Sequence, residues 1–261
     1  MNPKFSIITV SFNTLNDFKN TLNSITEQIF KNFELIVVDG NSSDGTIDEI
    51  RKNEEHISQY IIEEDEGIYD AMNKGINFAN SEWIIFLNSG DTFFNKNVLL
   101  EIDKIDLINY EIVYGKTIIN NHNVRYSDNP KKINSNFISM PFCHQSSLVR
   151  TDLMKKKFDL KYKVSSDFDF FLKCYRENRN FLFTNSYIAS VKSGGLSDKN
   201  RQLVFNENIK ILKNNNLNSR VSLLYFFKIK EYFLSYIKKI IPKTILIKLI
   251  RLKNKNNLIE K

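Results

Sequence analysis

Two hydrophobic rhythms alternate along the first part of the chain. Residues 5–12, FSIITVSF, form an unbroken β-rich apolar run, the pattern of a strand buried on both faces. Leu15, Phe18, Leu22 and Ile25 follow at helical spacing, with Asn13 or Thr14 placed to cap that helix. A second run, FELIVVD at 33–39, ends in Gly40-Asn41-Ser42-Ser43-Asp44-Gly45, which reads as a turn and a helix start. Tyr60 to Ile62 makes a short third strand. Ile68, Ala71, Met72, Gly75, Ile76 and Ala79 return to helical spacing. Trp83 to Leu87 is a fourth strand, and it runs directly into Asn88-Ser89-Gly90-Asp91. This alternation predicts an α/β fold with a mostly parallel central sheet flanked by helices.

After residue 95 the rhythm changes. The pattern predicts a helix near 96–107, strands at 111–119 and 122–127 around Asn120-Asn121, and a helix from about Asp167 to Glu177 with Phe168, Phe171, Leu172 and Tyr175 on one side. Strands at 180–184 and 187–192 lead to Ser193-Gly194-Gly195-Leu196-Ser197, and everything beyond about Lys199 reads as helix. The expected organisation is an α/β unit over 1–200 and a helical C-terminal region over 201–261. In that region Lys228, Glu231, Ser235, Lys238 and Lys239 make one polar stripe. Phe226, Phe227, Ile229, Tyr232, Phe233, Tyr236, Ile237 and Ile240 cover the rest, and Pro242 breaks the helix. A basic helix with so wide an apolar surface suits the face of a membrane. Packing on the α/β unit, or a homodimer contact, is the other reading.

Charge sharpens this picture. The net charge is +7, yet residues 210–261 hold thirteen Lys/Arg against two Asp/Glu, so the other 209 residues are net acidic by four. The basic surface is therefore local, which argues for an anionic lipid surface and against nucleic acid. No apolar run approaches the roughly 20 residues that cross a bilayer, and the first run is too short for a secretory signal. Two cysteines, Cys143 and Cys174, make no disulfide framework and no zinc pattern, and His56, His122 and His144 are scattered. The expected location is the cytoplasm, peripheral at the inner face of the cell membrane.

The candidate chemistry sits at strand ends. In an open parallel sheet, ligands bind outside the carboxyl ends of the strands. Three strands here end in polar groups: Ser11 and Asn13, Asp39 with Ser42, and Asn88-Ser89-Gly90-Asp91. Helix caps and turns favour the same residue types, but three such ends together point to a site. No G-x-G-x-x-G follows the first strand and no P-loop occurs, so neither a dinucleotide nor a P-loop nucleotide is indicated. Asp39 can accept a hydrogen bond from a base or a ribose, and Asp91 suits Mg²⁺ or Mn²⁺ bridging phosphates.

These segments resemble the family 2 glycosyltransferases with the GT-A fold. The matching pieces are SIITVSFN (6–13), ELIVVDGNSSDGT (34–46), EDEGIYDAMNKGI (64–76) and EWIIFLNSGD (82–91). Weaker matches follow in CHQSSLVR (143–150), SSDFDFFLK (165–173) and SGGLS (193–197). The resemblance covers about the first 200 residues. It implies an inverting, metal-dependent hexosyltransferase acting on a nucleotide-sugar, usually a UDP-sugar. The product would be a bacterial polysaccharide or lipopolysaccharide, the acceptor a glycan or lipid-linked saccharide. It implies that Asp39 contacts the nucleobase and that Asp91 holds Mn²⁺ or Mg²⁺, a single Asp where many relatives carry Asp-x-Asp. Met72 stands where relatives often have Arg, which leaves Asp70, Asn73 and Lys74 as the polar donor candidates on that helix. Asp167 matches the family's general base, with Asp169 in reserve, and His144 and Gln145 lie by resemblance near the acceptor. Two alternatives stay open: a nucleotidyltransferase on a similar fold, and a nucleotide-sugar-binding, membrane-associated protein with a decayed site.

Overall fold

The structure is a computed structural model that describes residues 2–131, 133 and 138–259. The side chains of Ser235, Tyr236, Lys238 and Lys239, part of the tail pattern above, lie outside the described residues. The first half runs β1 (Phe5–Ser11), α1 (Leu15–Thr26), β2 (Phe33–Asp39), α2 (Thr46–Lys52), β3 (Gln59–Ile62), α3 (Ile68–Phe78) and β4 (Trp83–Phe86). Next come β5 (Thr92–Phe93), α4 (Val98–Asp103), β6 (Ile112–Asn121), β7 (Val124–Asp128), β8 (Ser147–Arg150), α5 (Thr151–Met154), α6 (Ser166–Arg176) and β9 (Phe181–Lys192). The chain ends with α7 (Leu196–Lys199), α8 (Arg201–Asn214), α9 (Val221–Ile240) and α10 (Lys243–Lys253).

One nine-stranded sheet has the order β3-β2-β1-β4-β8-β6-β9-β5, with β7 paired to β6. The strands β3, β2, β1 and β4 are parallel, as the alternating pattern requires. The remainder is mixed: β8 runs antiparallel to β4 and β6, and β9 parallel to β6. Alternate residues of each parallel strand face opposite cores. Ile7, Leu35, Val37 and Ile85 meet Phe18, Leu22 and Ile25 of α1. Ile8, Ile36, Val38 and Phe86 meet Ala71, Met72 and Ile76 of α3 and Phe170 and Phe171 of α6. Each such buried side chain contributes about 1.5–3 kcal/mol. Helix α3 approaches β1 so closely that a Cβ on Gly75 would meet Ile8 Cγ2 at 2.5 Å.

Several expectations are corrected. Neither Asn13 nor Thr14 caps α1 through its side chain. Asp44 does so across the strand ends, its Oδ2 accepting the Leu15 N–H at 2.9 Å. The hairpin between β6 and β7 turns at His122-Asn123, both at positive φ, rather than at Asn120-Asn121; two left-handed residues give the twist that a two-residue hairpin needs. The strands expected at 180–184 and 187–192 are one strand, β9, whose register against β6 shifts beside Gly115. Packing also continues across residue 200. Ile209, Ile211 and Leu212 of α8 and Val221 and Leu224 of α9 share a core with Phe168 and Leu172 of α6.

Candidate active site

A cleft of about 680 Å³ opens where the end of β4, the start of α6 and the segment after β9 meet. Asn88, Ser89, Gly90, Asp91, His144, Gln145 and Asp167 line it together. The turn at Gly90, with φ of 99°, is held from α1: Thr21 Oγ1 accepts the Gly90 N–H at 3.0 Å and donates to the Asp91 carbonyl at 2.7 Å. A left-handed φ is where glycine is favoured, so the sequence Ser-Gly-Asp is what brings the Asp91 carboxylate back into the cleft. Gln145 Nε2 donates to Asp91 Oδ2 at 2.9 Å. Burial pushes the Asp91 carboxyl up to about 6, against the opposing pull of His144 and of the Gln145 hydrogen bond.

Asp167 sits in the first turn of α6. Its Oδ1 accepts from the Tyr69 hydroxyl at 2.9 Å and from the Phe168 N–H at 2.8 Å, while Oδ2 lies 3.2 Å from His144 Nδ1. Burial, and next the Asp167 charge, hold the Tyr69 phenol well above its usual range, so it remains an O–H donor. The result is a carboxylate held by two donors, from α3 and α6, with the His144 ring beside it.

The other predicted residues lie elsewhere. Ser11, Asn13, Asp39 and Ser42 lace the ends of β1 and β2 together, outside the cleft lining. Asp39 is 0% exposed; its carboxylate accepts from Ser11 Oγ at 2.7 Å, Ser42 N at 2.7 Å and Ser42 Oγ at 2.8 Å. Asn13 N donates to Ser42 Oγ at 2.8 Å. This cluster touches the cleft through Ser89 Oγ, which donates to Thr14 Oγ1 at 2.8 Å. Lys74 is bound to the Glu64 carbonyl at 2.6 Å and pairs with Glu63 and Asp70 at 3.0 and 3.3 Å. Two further candidates are engaged in contacts within the fold. Asn73 uses both ends of its amide on the Phe158 backbone, at 2.8 and 2.9 Å, and so holds the loop before α6. Asp169 is buried on the other side of α6, paired with Lys173 at 2.6 Å, and does not line the cleft. Three contributors escaped the sequence reading: Thr21, Tyr69 and Glu207. The last, from α8, accepts the N–H groups of Lys163 and Val164 at 2.8 and 2.9 Å.

A divalent ion fits this site in one way only. Among the described residues no three His, Cys, Asp or Glu side chains gather around a common point, so no all-protein cage exists. Asn88 and His144 line the same cleft as Asp91, and Asn88 Oδ1 and His144 Nε2 are buried without partners. One carboxylate plus ligand phosphates is how Mg²⁺ is usually held.

Comparison with known proteins follows the same lines. The model of glycosyl transferase family 2 matches residues 6–176. A PGL/p-HBAD biosynthesis glycosyltransferase of Mycobacterium bovis is 29% identical over 180 residues, 66% of this chain and 70% of that protein. A putative teichuronic acid biosynthesis glycosyltransferase of Bacillus subtilis, TuaG, is 35% identical over 92 residues, 34% of this chain and 36% of that one. In fold, the chain is similar to residues 1–349 of S. aureus TarS in complex with UDP-GlcNAc (TM-score 0.62, 19% identity, 85% of this chain and 72% of that one). It is similar also to the mannosyltransferase PcManGT of Pyrobaculum calidifontis in complex with GDP-Man and Mn²⁺ (TM-score 0.62, 15% identity, 87% and 71%). With a parallel half-sheet whose strand β4 runs into an acid-lined cleft, and with the family's pattern running through that whole half, the chain belongs to glycosyl transferase family 2.

Proposed function

We propose that the protein transfers a sugar from a nucleotide-sugar, a UDP-sugar, to a hydroxyl of a glycan or lipid-linked saccharide, with inversion, in the building of a bacterial surface polysaccharide. The observation that carries this reading is the placing of Asp91 and Asp167 in one cleft, from β4 and α6. The UDP-GlcNAc of TarS and the GDP-Man of PcManGT support a nucleotide-sugar donor. Family membership sets the nucleotidyltransferase reading aside. The two donors held on Asp167, with His144 Nδ1 3.2 Å away, support a working site over a decayed one.

In this mechanism Asp167 is the general base. An acceptor hydroxyl oxygen forms a bond to the anomeric carbon as the bond from that carbon to the diphosphate oxygen breaks. The hydroxyl proton passes to Asp167, and nucleoside diphosphate leaves. Attack from the face opposite the leaving group inverts the anomeric centre. Tyr69 and His144 fix the carboxylate's direction. Asp91 would hold Mn²⁺ or Mg²⁺, with Asn88 and His144 beside it, and Gln145 orients its carboxylate. Such an ion, when bound, supplies positive charge for the developing diphosphate. Asp39, Ser11, Asn13 and Ser42 would form the nucleoside end, with Asp39 freeing an oxygen from a serine to read the base.

The test is turnover of a UDP-sugar by Asp167→Asn. We expect a fall of about 10²–10⁴-fold, the usual weight of a general base, with the wild-type product carrying the opposite anomeric configuration to the donor by NMR. Retained configuration, or a variant within a few-fold of wild type, contradicts the assignment.

The tail's role belongs to this reading. On α9, Phe226, Tyr232, Phe233 and Ile240 are 64–67% exposed, and on α10 Leu252 is 69% exposed. Among the described residues no helix is long and apolar enough to cross a membrane. We assign α9 and α10 to the surface of an anionic bilayer, where a lipid-linked acceptor is met.

A further inference from the structure

Four carboxylates line the cleft, Asp17, Asp91, Asp167 and Asp198, against two lysines among the described residues, Lys192 and Lys199. A diphosphate is itself anionic, so it enters so acidic a cleft only beside positive charge. Helix α3 supplies none. Met72 is neutral, and Lys74 is committed to Glu63, Asp70 and the Glu64 carbonyl, outside the cleft lining. Lys192, the last residue of β9, stands at Asp91. Its backbone N–H stabilises the charged Asp91 carboxylate. Its Nζ lies 3.3 Å from Asp17 Oδ1. Asp17 in turn packs against the turn that carries Asp91, where a Cβ on Gly90 would meet Asp17 Oδ2 at 3.6 Å. Both side chains are open to solvent, Lys192 66% exposed and Asp17 37%. An exposed ion pair of this kind contributes little to stability, so a better anion can take the ammonium from Asp17.

We propose that Lys192 exchanges Asp17 for the donor's diphosphate, and that Asp17 is the counter-ion that holds this lysine beside Asp91 in the free protein. The proposal rests on the nucleotide-sugar reading and adds the cation that the protein itself brings to the leaving group. An ammonium binds as a point charge with no fixed fork of donors. It can therefore pass from a carboxylate to a phosphate oxygen while the backbone of β9 stays paired with β6 through Asn120. As the bond from the anomeric carbon to the diphosphate oxygen breaks, negative charge grows on that oxygen, and a nearby ammonium favours its departure. The exchange makes Asp17 a competitor. It keeps Lys192 in place, and it also weakens the donor complex by bidding for the same charge.

The probes are UDP, uridine and inorganic pyrophosphate, titrated calorimetrically into the full chain in chelator, and UDP again with Mn²⁺. Lys192→Gln should weaken UDP and pyrophosphate about 10-fold or more, the weight of a charged hydrogen bond, and leave uridine unchanged. Lys192→Arg should restore binding to within a few-fold of wild type, and Asp17→Asn should bind UDP more tightly than wild type does. The Tm of all three variants should stay at the wild-type value, because the pair is exposed. UDP binding that Lys192→Gln leaves unchanged overturns the proposal and leaves the donor reading standing. So does weaker UDP binding by Asp17→Asn, or a loss in Lys192→Gln that extends equally to uridine, either of which would make the pair a structural tie between α1 and β9. If UDP binds no more tightly than pyrophosphate while both depend on Lys192, the uridine assignment falls and the diphosphate contact stands. Binding of neither ligand by wild type overturns both.

Discussion

At the residue scale the two acids sit in different surroundings. Asp167 accepts from the Tyr69 hydroxyl and the Phe168 N–H. Asp91 is buried, and its carboxyl is pushed up to about 6 from an ordinary 3.8. Between those two pH values the folded protein holds a proton that the unfolded chain does not. The stability this group contributes is thus full below pH 3.8 and is lost as pH rises through 6. Above that, the buried charge costs about 3 kcal/mol in metal-free protein. Asp91→Asn should therefore raise Tm at neutral pH and flatten the pH dependence of stability between 4 and 6, measured by thermal melts in chelator. An unchanged pH profile means that Asp91 is solvated. At this scale the sequence showed the acids but not their partners. Asp91 and Asp167 are visible as carboxylates at a strand end and a helix start. Tyr69 reads as one more residue on the buried face of α3, and only the fold brings it to Asp167 across 98 positions. Thr21, on α1, is hidden in the same way.

At the element scale, the strands and helices of the first half follow from periodicity, because each buried face repeats every two or every 3.6 residues. What periodicity cannot show is long-range pairing. The antiparallel insertion of β8 between β4 and β6 depends on three short runs far apart in the chain. The cap of α1 likewise comes from Asp44, 29 positions away. Asn73 illustrates the cost of reading a motif without its surroundings: it stands beside donor candidates in sequence, yet it clamps α3 to the loop that leads into α6. Asn73→Ala should lower stability by about 2–3 kcal/mol, since it leaves two buried Phe158 backbone groups unpaired, and should leave UDP affinity intact. A weaker UDP complex with unchanged Tm would restore Asn73 to the donor site.

At the scale of the whole molecule, the basic tail is a built part of the body. Val221 and Leu224 enter the α6–α8 core. At the far end Ile259 N donates to the Arg125 carbonyl at 3.0 Å, and Leu258 bridges to Tyr126 on β7. The exposed face of α9 and α10 is thereby held in a fixed relation to the cleft, which composition alone could not reveal. Removing the tail would open a core, so the lipid assignment is better tested on its surface. The full chain should sediment with phosphatidylglycerol vesicles and be released by high salt, since surface attraction is screened. Replacing Phe226, Phe233 and Ile240 together by Ser should abolish sedimentation without lowering Tm. A dimer by light scattering that the same variant dissociates, with no vesicle binding, would make the face a contact between copies. The central claim is a division of labour across one cleft, with Asp91 holding the donor and Asp167 the acceptor's proton. Calorimetric titration of UDP with Mn²⁺ into wild type, Asp91→Asn and Asp167→Asn tests it without knowledge of the acceptor. Binding should be lost in Asp91→Asn and remain within a few-fold of wild type in Asp167→Asn; equal binding by all three proteins, or loss in Asp167→Asn alone, would contradict it.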